Sequence, residues 1–446
     1  MTRLPTWIAL IAMVFALGAC TEHKIYRSDL KLCTSADPND DWSDRCRTNA
    51  LQTFETAGAK QETYSLGFIE FDDQGQLWDR EQMDEVIKGA YGTSSEEDVL
   101  MIVFVHGWKH SASPGDSNIT DFRRILRRVS AMESRYAADA KIPARKVFGV
   151  YLGWRGGSVT MPGIKELTFW DRKATAEKVG HGAVAEVLSR LELVRKTKNS
   201  PAMSPKGRAR TRLVIVGHSF GGAVVYSSVA QLLEERFVLG EGASQGVVEN
   251  TRGFGDLVVL INPAFEANLY TPLSDMSLER ATYFQTQKPV LAVLTSEADE
   301  ATRTLFPIGR AYNTVFELHR TVKRRNPVMR QDEFIDEKQS NTTTVGHFLP
   351  YRTHTLRASP TEAGVKVLSV VDELSIALKA RDSWQNDKPG SRIPFFGSVL
   401  ERTPSSAGRN PYLVIQVDKA LIPDHNDIYD PRITSFIRQL IFLSVD

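Results

Sequence analysis

The sequence predicts an α/β protein whose mostly parallel sheet is covered by helices on both faces. Three observations carry this expectation. Short apolar runs of strand length recur along the chain, at residues 99–105, 146–152, 213–216, 257–261, 290–294 and 412–417. Runs that are apolar almost throughout suit strands buried on both faces. Longer stretches with apolar residues at helical spacing lie between them, so strands alternate with helices, as a parallel sheet requires. The chain of 446 residues is 42% hydrophobic and 24% charged with a net charge of +1, which is ordinary for a globular protein and gives no global field for nucleic acid.

In chain order, Arg3 and an apolar run at 7–17 come first, followed by Leu17-Gly18-Ala19-Cys20. The run is too short for a comfortable membrane span and reads as a secretion signal. Leu17 to Cys20 resembles a bacterial lipoprotein box. The resemblance implies a signal peptide at 1–19, cleavage before Cys20, lipidation of Cys20, and a chain anchored to the cell envelope. Thr21 stands where Asp would hold a lipoprotein back, which implies the outer membrane facing the periplasm. Export favours disulfides, and Cys33 and Cys46 are the two cysteines left over, so a bridge is expected between them. Residues 20–62 show no clear period and read as a lipid tether with a disulfide loop; the domain proper is expected over 63–446.

Residues 64–71 read as an edge strand turned by Asp72-Asp73-Gln74-Gly75, and 84–91 as a short helix ended near Gly92. The strand at 99–105 runs into His106-Gly107-Trp108. Ile119, Phe122, Leu126, Val129 and Met132 form one stripe of a helix over 118–137. The strand at 146–152 is followed by a helix over 169–193, and Pro201 and Pro205 break the chain before the strand at 213. A helix carrying Ala223, Val224 and Val229 follows that strand. The strand at 257–261 ends in Asn262-Pro263, and that at 290–294 runs into Glu297 and Asp299. Residues of about 307–410 carry little sheet pattern and many polar residues; they read as a long insertion before the last strand, with a helix over 361–380 and a part that acts as a lid. The strand at 412–417 and a helix over 431–443 close the chain.

The chemistry gathers at Gly217-His218-Ser219-Phe220-Gly221, between a buried strand and an apolar helix. A serine on such a sharp turn is presented clear of the sheet, and glycine two residues to either side relieves the crowding. A hydroxyl is a weak nucleophile and needs a base, a group to orient the base, and donors for an oxyanion. The sequence offers candidates for each after strand ends, where sites gather in open α/β sheets.

These stretches resemble the α/β-hydrolase family, of the serine esterase and lipase type. The resemblance rests on Val103-Phe-Val-His-Gly-Trp108, Gly217-His-Ser-Phe-Gly221, Val293-Leu-Thr-Ser-Glu-Ala-Asp299 and His425-Asn-Asp-Ile428, in the order nucleophile, acid, histidine. It implies Ser219 as nucleophile, His425 as general base, Asp299 as its partner, and the backbone N–H groups of Trp108 and Phe220 as oxyanion donors. It implies a hydrolase cleaving carboxylic esters of small molecules or lipids through an acyl-enzyme, without cofactor or metal. An acyltransferase, thioesterase or peptidase uses the same residues, and a non-catalytic hydrolase-like lipoprotein is the alternative of a different class.

Glu297 and Glu266 are rival acids, and His347 and His354 rival bases. His218 and His106 read as structural. His106 and His110 have metal-like spacing, yet no Asp or Glu accompanies them at matching spacing, so no metal site is expected.

Overall fold

The computed structural model describes residues 23–36, 45–55, 63–92, 97–157, 169–203, 210–240, 249–314, 316–359, 368–388 and 390–445. The signal-peptide and lipidation expectations, Cys20 included, lie outside the described residues. The chain is a mixed α/β protein built on one large, mostly parallel sheet. Its strands are β1 (Asp29–Ser35), β2 (Asn49–Phe54), β3 (Tyr64–Glu70), β4 (Val99–Val105), β5 (Lys146–Gly153), β6 (Arg212–His218), β7 (Leu257–Ile261), β8 (Leu291–Ser296), β11 (His354–Ala358), β12 (Arg392–Phe395), β13 (Ser398–Arg402) and β14 (Tyr412–Val417). They lie in the order β1-β2-β3-β5-β4-β6-β7-β8-β14-β11-β13-β12. From β3 through β14 to β11 every neighbouring pair is parallel. The numbers β9 (Thr321–Asn326) and β10 (Gln331–Asp336) belong to a separate antiparallel hairpin.

Strand β4 shows why continuous apolar runs become central strands. Val99, Met101, Val103 and Val105 enter one core, and Leu100, Ile102 and Phe104 enter the other. Each side chain gains about 1.5–3 kcal/mol from burial, whichever face it takes. The first core is covered by α1 (Arg80–Tyr91), α3 (Phe169–His181), α4 (Ala183–Lys198) and α5 (Phe220–Gly240). The second is covered by α2 (Ser117–Ala140), α9 (Val370–Gln385) and α10 (Pro431–Val445). Three shorter helices, α6 (Thr271–Ser277), α7 (Phe306–Asn313) and α8 (Glu337–Thr342), lie between β7 and β11.

Several elements differ from the sequence reading. Residues 20–62 are not only a tether: β1 and β2 extend the sheet, and β3 is therefore not at the edge. Edge strands are held by backbone bonds more than by apolar burial, and β1 leaves Leu32 exposed. In β2 the inward Gln52 is fully buried and donates to the carbonyls of Cys46 and Asn49, so its face carries no apolar signal. The long helix over 169–193 is two helices. Gly182 breaks it, because a Cβ there would lie 2.4 Å from the Gly75 carbonyl oxygen, which accepts instead from Ala183 N–H at 2.8 Å.

The stretch read as an insertion with little sheet pattern holds the β9–β10 hairpin and adds β11, β13 and β12 beyond β14. Strand β14, the last in sequence, is therefore interior. The short strands β11 and β12 place His354 and Pro394 within the sheet, so an apolar-run search passes over them. The helix expected over 361–380 begins at Val370, where Ser369 Oγ accepts from Asp372 N–H at 3.1 Å; residues 360–367 lie outside the described residues.

Cys33 and Cys46 form a disulfide with Cα atoms 5.8 Å apart, across a separation of 13 residues. A loop of this size contributes about 3 kcal/mol in the chain-entropy model. Replacing both cysteines with serine is expected to lower the unfolding free energy by about that amount, read as a lower denaturant midpoint, with a slope that rises as the uncrosslinked unfolded chain exposes more surface.

Candidate active site

The carboxyl ends of β4, β6, β7, β8 and β14 lie along one edge because these strands are parallel. The loops after them converge. Ser219 is the single residue between β6 and α5, in the left-handed region at φ 56°. Such a conformation costs a non-glycine residue about 1–3 kcal/mol. It is held from both sides. Ser219 N–H donates to Ile261 O at 2.9 Å, and Ser219 O accepts from Gly222 and Ala264 N–H at 3.0 and 3.1 Å. A Cβ on Gly217 would lie 2.6 Å from Gly221 O, and one on Gly221 only 2.1 Å from Val105 O, so the turn can close only with glycine at both positions.

His425 lies in the loop after β14. Its Nε2 is 2.7 Å from Ser219 Oγ and its Nδ1 is 2.8 Å from Asp299 Oδ1. The three side chains chosen from the sequence are thus joined in one chain of hydrogen bonds. Asp299, in the loop after β8, is fully buried. Burial alone would raise its carboxyl. The hydrogen bond and charge of His425, with bonds from Thr302, outweigh it and hold the group below the usual carboxylate value. Thr302 donates its backbone N–H to Oδ1 at 3.1 Å and its hydroxyl to Oδ2. The same hydroxyl accepts from His347 Nε2 at 3.1 Å. His347 thus meets the Thr302 hydroxyl and the Asp299 backbone, while the Asp299 carboxylate takes His425. It is the second histidine of the site and not the one beside the serine.

The other rivals are placed elsewhere. Glu266 is buried in ion pairs with Lys173 at 2.9 Å and Arg310 at 2.8 Å. Glu297 follows β8, its backbone N–H bonded to Val417 O at 3.0 Å, and it is not a partner of His425. His354 is buried at the start of β11 against Thr353 Oγ1, 2.9 Å away.

Two histidines beside the site hold backbone. His106 Nε2 accepts from Trp154 N–H at 3.1 Å, so its Nδ1 carries the proton and donates to Gly107 O at 2.9 Å. The peptide is planar and trans, so fixing the Gly107 carbonyl also aims the Trp108 N–H, in the opposite direction. This loop abuts the serine: a Cβ on Gly107 would lie 2.7 Å from Ser219 Cβ. Phe220, the other sequence candidate for an oxyanion donor, opens α5. His218 donates from Nε2 to the His425 carbonyl at 3.0 Å, and Asn262 Nδ2 donates to the same oxygen at 2.9 Å. Asn262 Oδ1 also accepts from Ser296 N–H at 2.9 Å, which ties the ends of β7 and β8 to the histidine loop.

Sequence reading assigned no role to Asn262 or Thr302, and it read His218 only as structural without its partner. Thr302 stands three residues after Asp299, a capping distance that offered a signal. Asn262 offered none beyond its place after a strand.

No family model matches the sequence, and no curated protein matches it. Among solved structures it is similar to an esterase from Pyrobaculum calidifontis, at 15% identity and TM-score 0.19, over 46% of this chain and 59% of the esterase. It is also similar to the phospholipase PlaB from Legionella pneumophila in complex with thio-NAD, at 13% identity and TM-score 0.22, over 58% of this chain and 46% of that one. The matched region is thus less than two thirds of either of those chains, and superpositions at these scores do not establish a shared fold.

Burial depresses His106 to about 4 and His218 and His354 to about 3, so all three stay neutral when folded. In the unfolded chain histidine takes up a proton near 6.5. Their folded values are lowered, so the stability they contribute is full above about 6.5 and is lost as pH falls from there toward 4 and 3. Denaturant midpoints measured from pH 7.5 to 5 should therefore fall, and ring NMR signals of His106 and His218 should not titrate above pH 5.

Proposed function

We propose that this chain is a serine hydrolase of the α/β-hydrolase type that cleaves carboxylic esters through an acyl-enzyme. The observation that carries the reading is the hydrogen-bonded line from Ser219 Oγ through both ring nitrogens of His425 to Asp299. Ser219 Oγ attacks the ester carbonyl carbon as its proton passes to His425 Nε2. Asp299 accepts the Nδ1–H and stabilises the imidazolium. Its lowered pKa keeps it ionised at neutral pH, as this role requires. The tetrahedral oxyanion takes the N–H groups of Trp108 and Phe220, each contributing about 3 kcal/mol. The imidazolium returns its proton to the leaving alkoxide, and the alcohol departs. Water, deprotonated by His425, then attacks the acyl carbon and releases the acid and Ser219.

The same reading assigns Cys20 as a lipidated residue that anchors the enzyme to the bacterial envelope, at the outer membrane facing the periplasm. It is supported by the apolar run and the Leu17-Gly18-Ala19-Cys20 stretch. Among the described residues no helix is long and apolar enough to cross a membrane.

A fluorophosphonate probe is expected to add to Ser219, read by intact mass and peptide mapping; labelling elsewhere, or none on folded protein, would remove the assignment. His425→Ala is expected to lower kcat on a small soluble ester by about 10⁴-fold or more, and His347→Ala far less. The reverse ranking would give the base to His347. Thr302→Val removes one hydrogen bond to a charged group, a loss of about 1.5–3 kcal/mol, and is expected to lower kcat by roughly ten- to a hundredfold. Cys20→Ser is expected to release the protein from membrane fractions or block its processing; a wild type that fractionates as soluble would refute the anchor.

A further inference from the structure

We propose that the carboxyl edge of the sheet lies against a lipid bilayer, and that the ester is drawn from a lipid of that membrane. This rests on the hydrolase reading above and adds the substrate class and the direction from which it comes.

The first observation is where the described chain begins. The N–H groups of Tyr26 and Arg27 donate to the carboxylate of Glu70, at 3.0 and 2.8 Å. Gln82 Nε2 donates to Arg27 O at 2.8 Å. The Arg27 side chain is wholly buried and bonds to the carbonyls of Ala112 and Arg47 at 2.9 and 2.6 Å. Glu70 ends β3, and Ala112 lies in the loop that follows β4 and carries Trp108. The tether is therefore rooted on the edge that bears the site. Strands β3 and β6 are three intervals apart, about 14 Å at 4.8 Å each. Cys20 precedes Tyr26 by six residues, whose full extension is about 20 Å. An acyl group on Cys20 would thus hold Ser219 within a short reach of the bilayer surface.

The second observation lies on the far side of the serine. The helical turn after Asp299 turns Thr302 and Phe306 inward, both buried, and Leu305 and Ile308 outward, 55% and 66% exposed. Positions 305 and 308 share a helix face, so beside the exposed Arg303 and Thr304 the outward side of this turn presents two large apolar side chains to the surroundings. Phe316 and Leu318 follow, at 98% and 100% exposure. On the loop beside Ser219, the Lys109 ammonium sits 4.1 Å from the centre of the Trp108 ring. A tryptophan with a lysine is the pairing favoured at the boundary between acyl chains and head groups. A tether on one flank and exposed apolar side chains on the other fit one planar, apolar, anionic surface.

The test uses processed protein carrying Ile308→Cys or Lys146→Cys, each labelled with a polarity-sensitive dye. Lys146 opens β5 and so marks the opposite edge. On adding vesicles of phosphatidylethanolamine with phosphatidylglycerol, the dye at 308 should shift to the blue and that at 146 should not. A shift at 146, or at neither position, overturns the proposal. Leu305→Ser with Ile308→Ser should lower turnover of a long-chain ester held in those vesicles by at least about tenfold, 1.4 kcal/mol, and leave a soluble short ester near wild type. Equal loss on both substrates overturns it, as does a dimer of the wild type that this pair dissociates. Wild type inert on the soluble ester, with the dye still shifted at 308, would instead fail the hydrolase reading and keep the membrane contact.

Discussion

The close approach of backbone around Ser219 is the constraint on which the rest of the site depends. A left-handed serine is tolerable only if its own N–H and carbonyl are bonded and nothing larger than hydrogen stands at 217 and 221. Those conditions bring the first turn of α5 against the end of β4. The same contact sets the His106–Trp108 loop beside the serine. The nucleophile and the loop proposed to receive the oxyanion are therefore placed by one steric fit.

His425 is placed by a second set of bonds, made to its backbone. The His425 carbonyl takes N–H groups from His218, next to the serine, and from Asn262, at the end of β7. Asn262 also holds Ser296, at the end of the strand that leads to Asp299. One neutral histidine and one asparagine thus tie the loops of Ser219, Asp299 and His425 together. Burial keeps His218 neutral, so the tie does not change charge across the neutral range. Thr302 completes the support by donating its hydroxyl to the far oxygen of Asp299, and His347 in turn donates to that hydroxyl.

The same edge gathers features that the chemistry alone does not need. Glu70 fixes the start of the described chain there, through two backbone N–H groups. The turn that supports Asp299 exposes apolar residues on its outer side. A single helical turn therefore faces Asp299 inward and the surroundings outward, so the proposed chemistry and the proposed membrane contact would share one scaffold.

The central strands, the serine turn and the choice of Ser219, Asp299 and His425 were legible in the sequence. Continuous apolar runs have few alternatives to a sheet buried on both faces, and glycine spacing around a serine answers a local steric demand. Strands β1, β2 and β11 to β13 were not legible. Their inward positions carry the polar Gln52 and His354, which bond to Cys46, Asn49 and Thr353 in place of apolar packing, or they lie at an edge where backbone bonds suffice. Sequence order also could not show that β14 sits inside the sheet, because pairing partners are chosen by tertiary packing. His425 and His347 are alike as residues. Only the folded chain separates them: loops distant in sequence bring His425 between Ser219 Oγ and the Asp299 carboxylate, and His347 to the Thr302 hydroxyl instead.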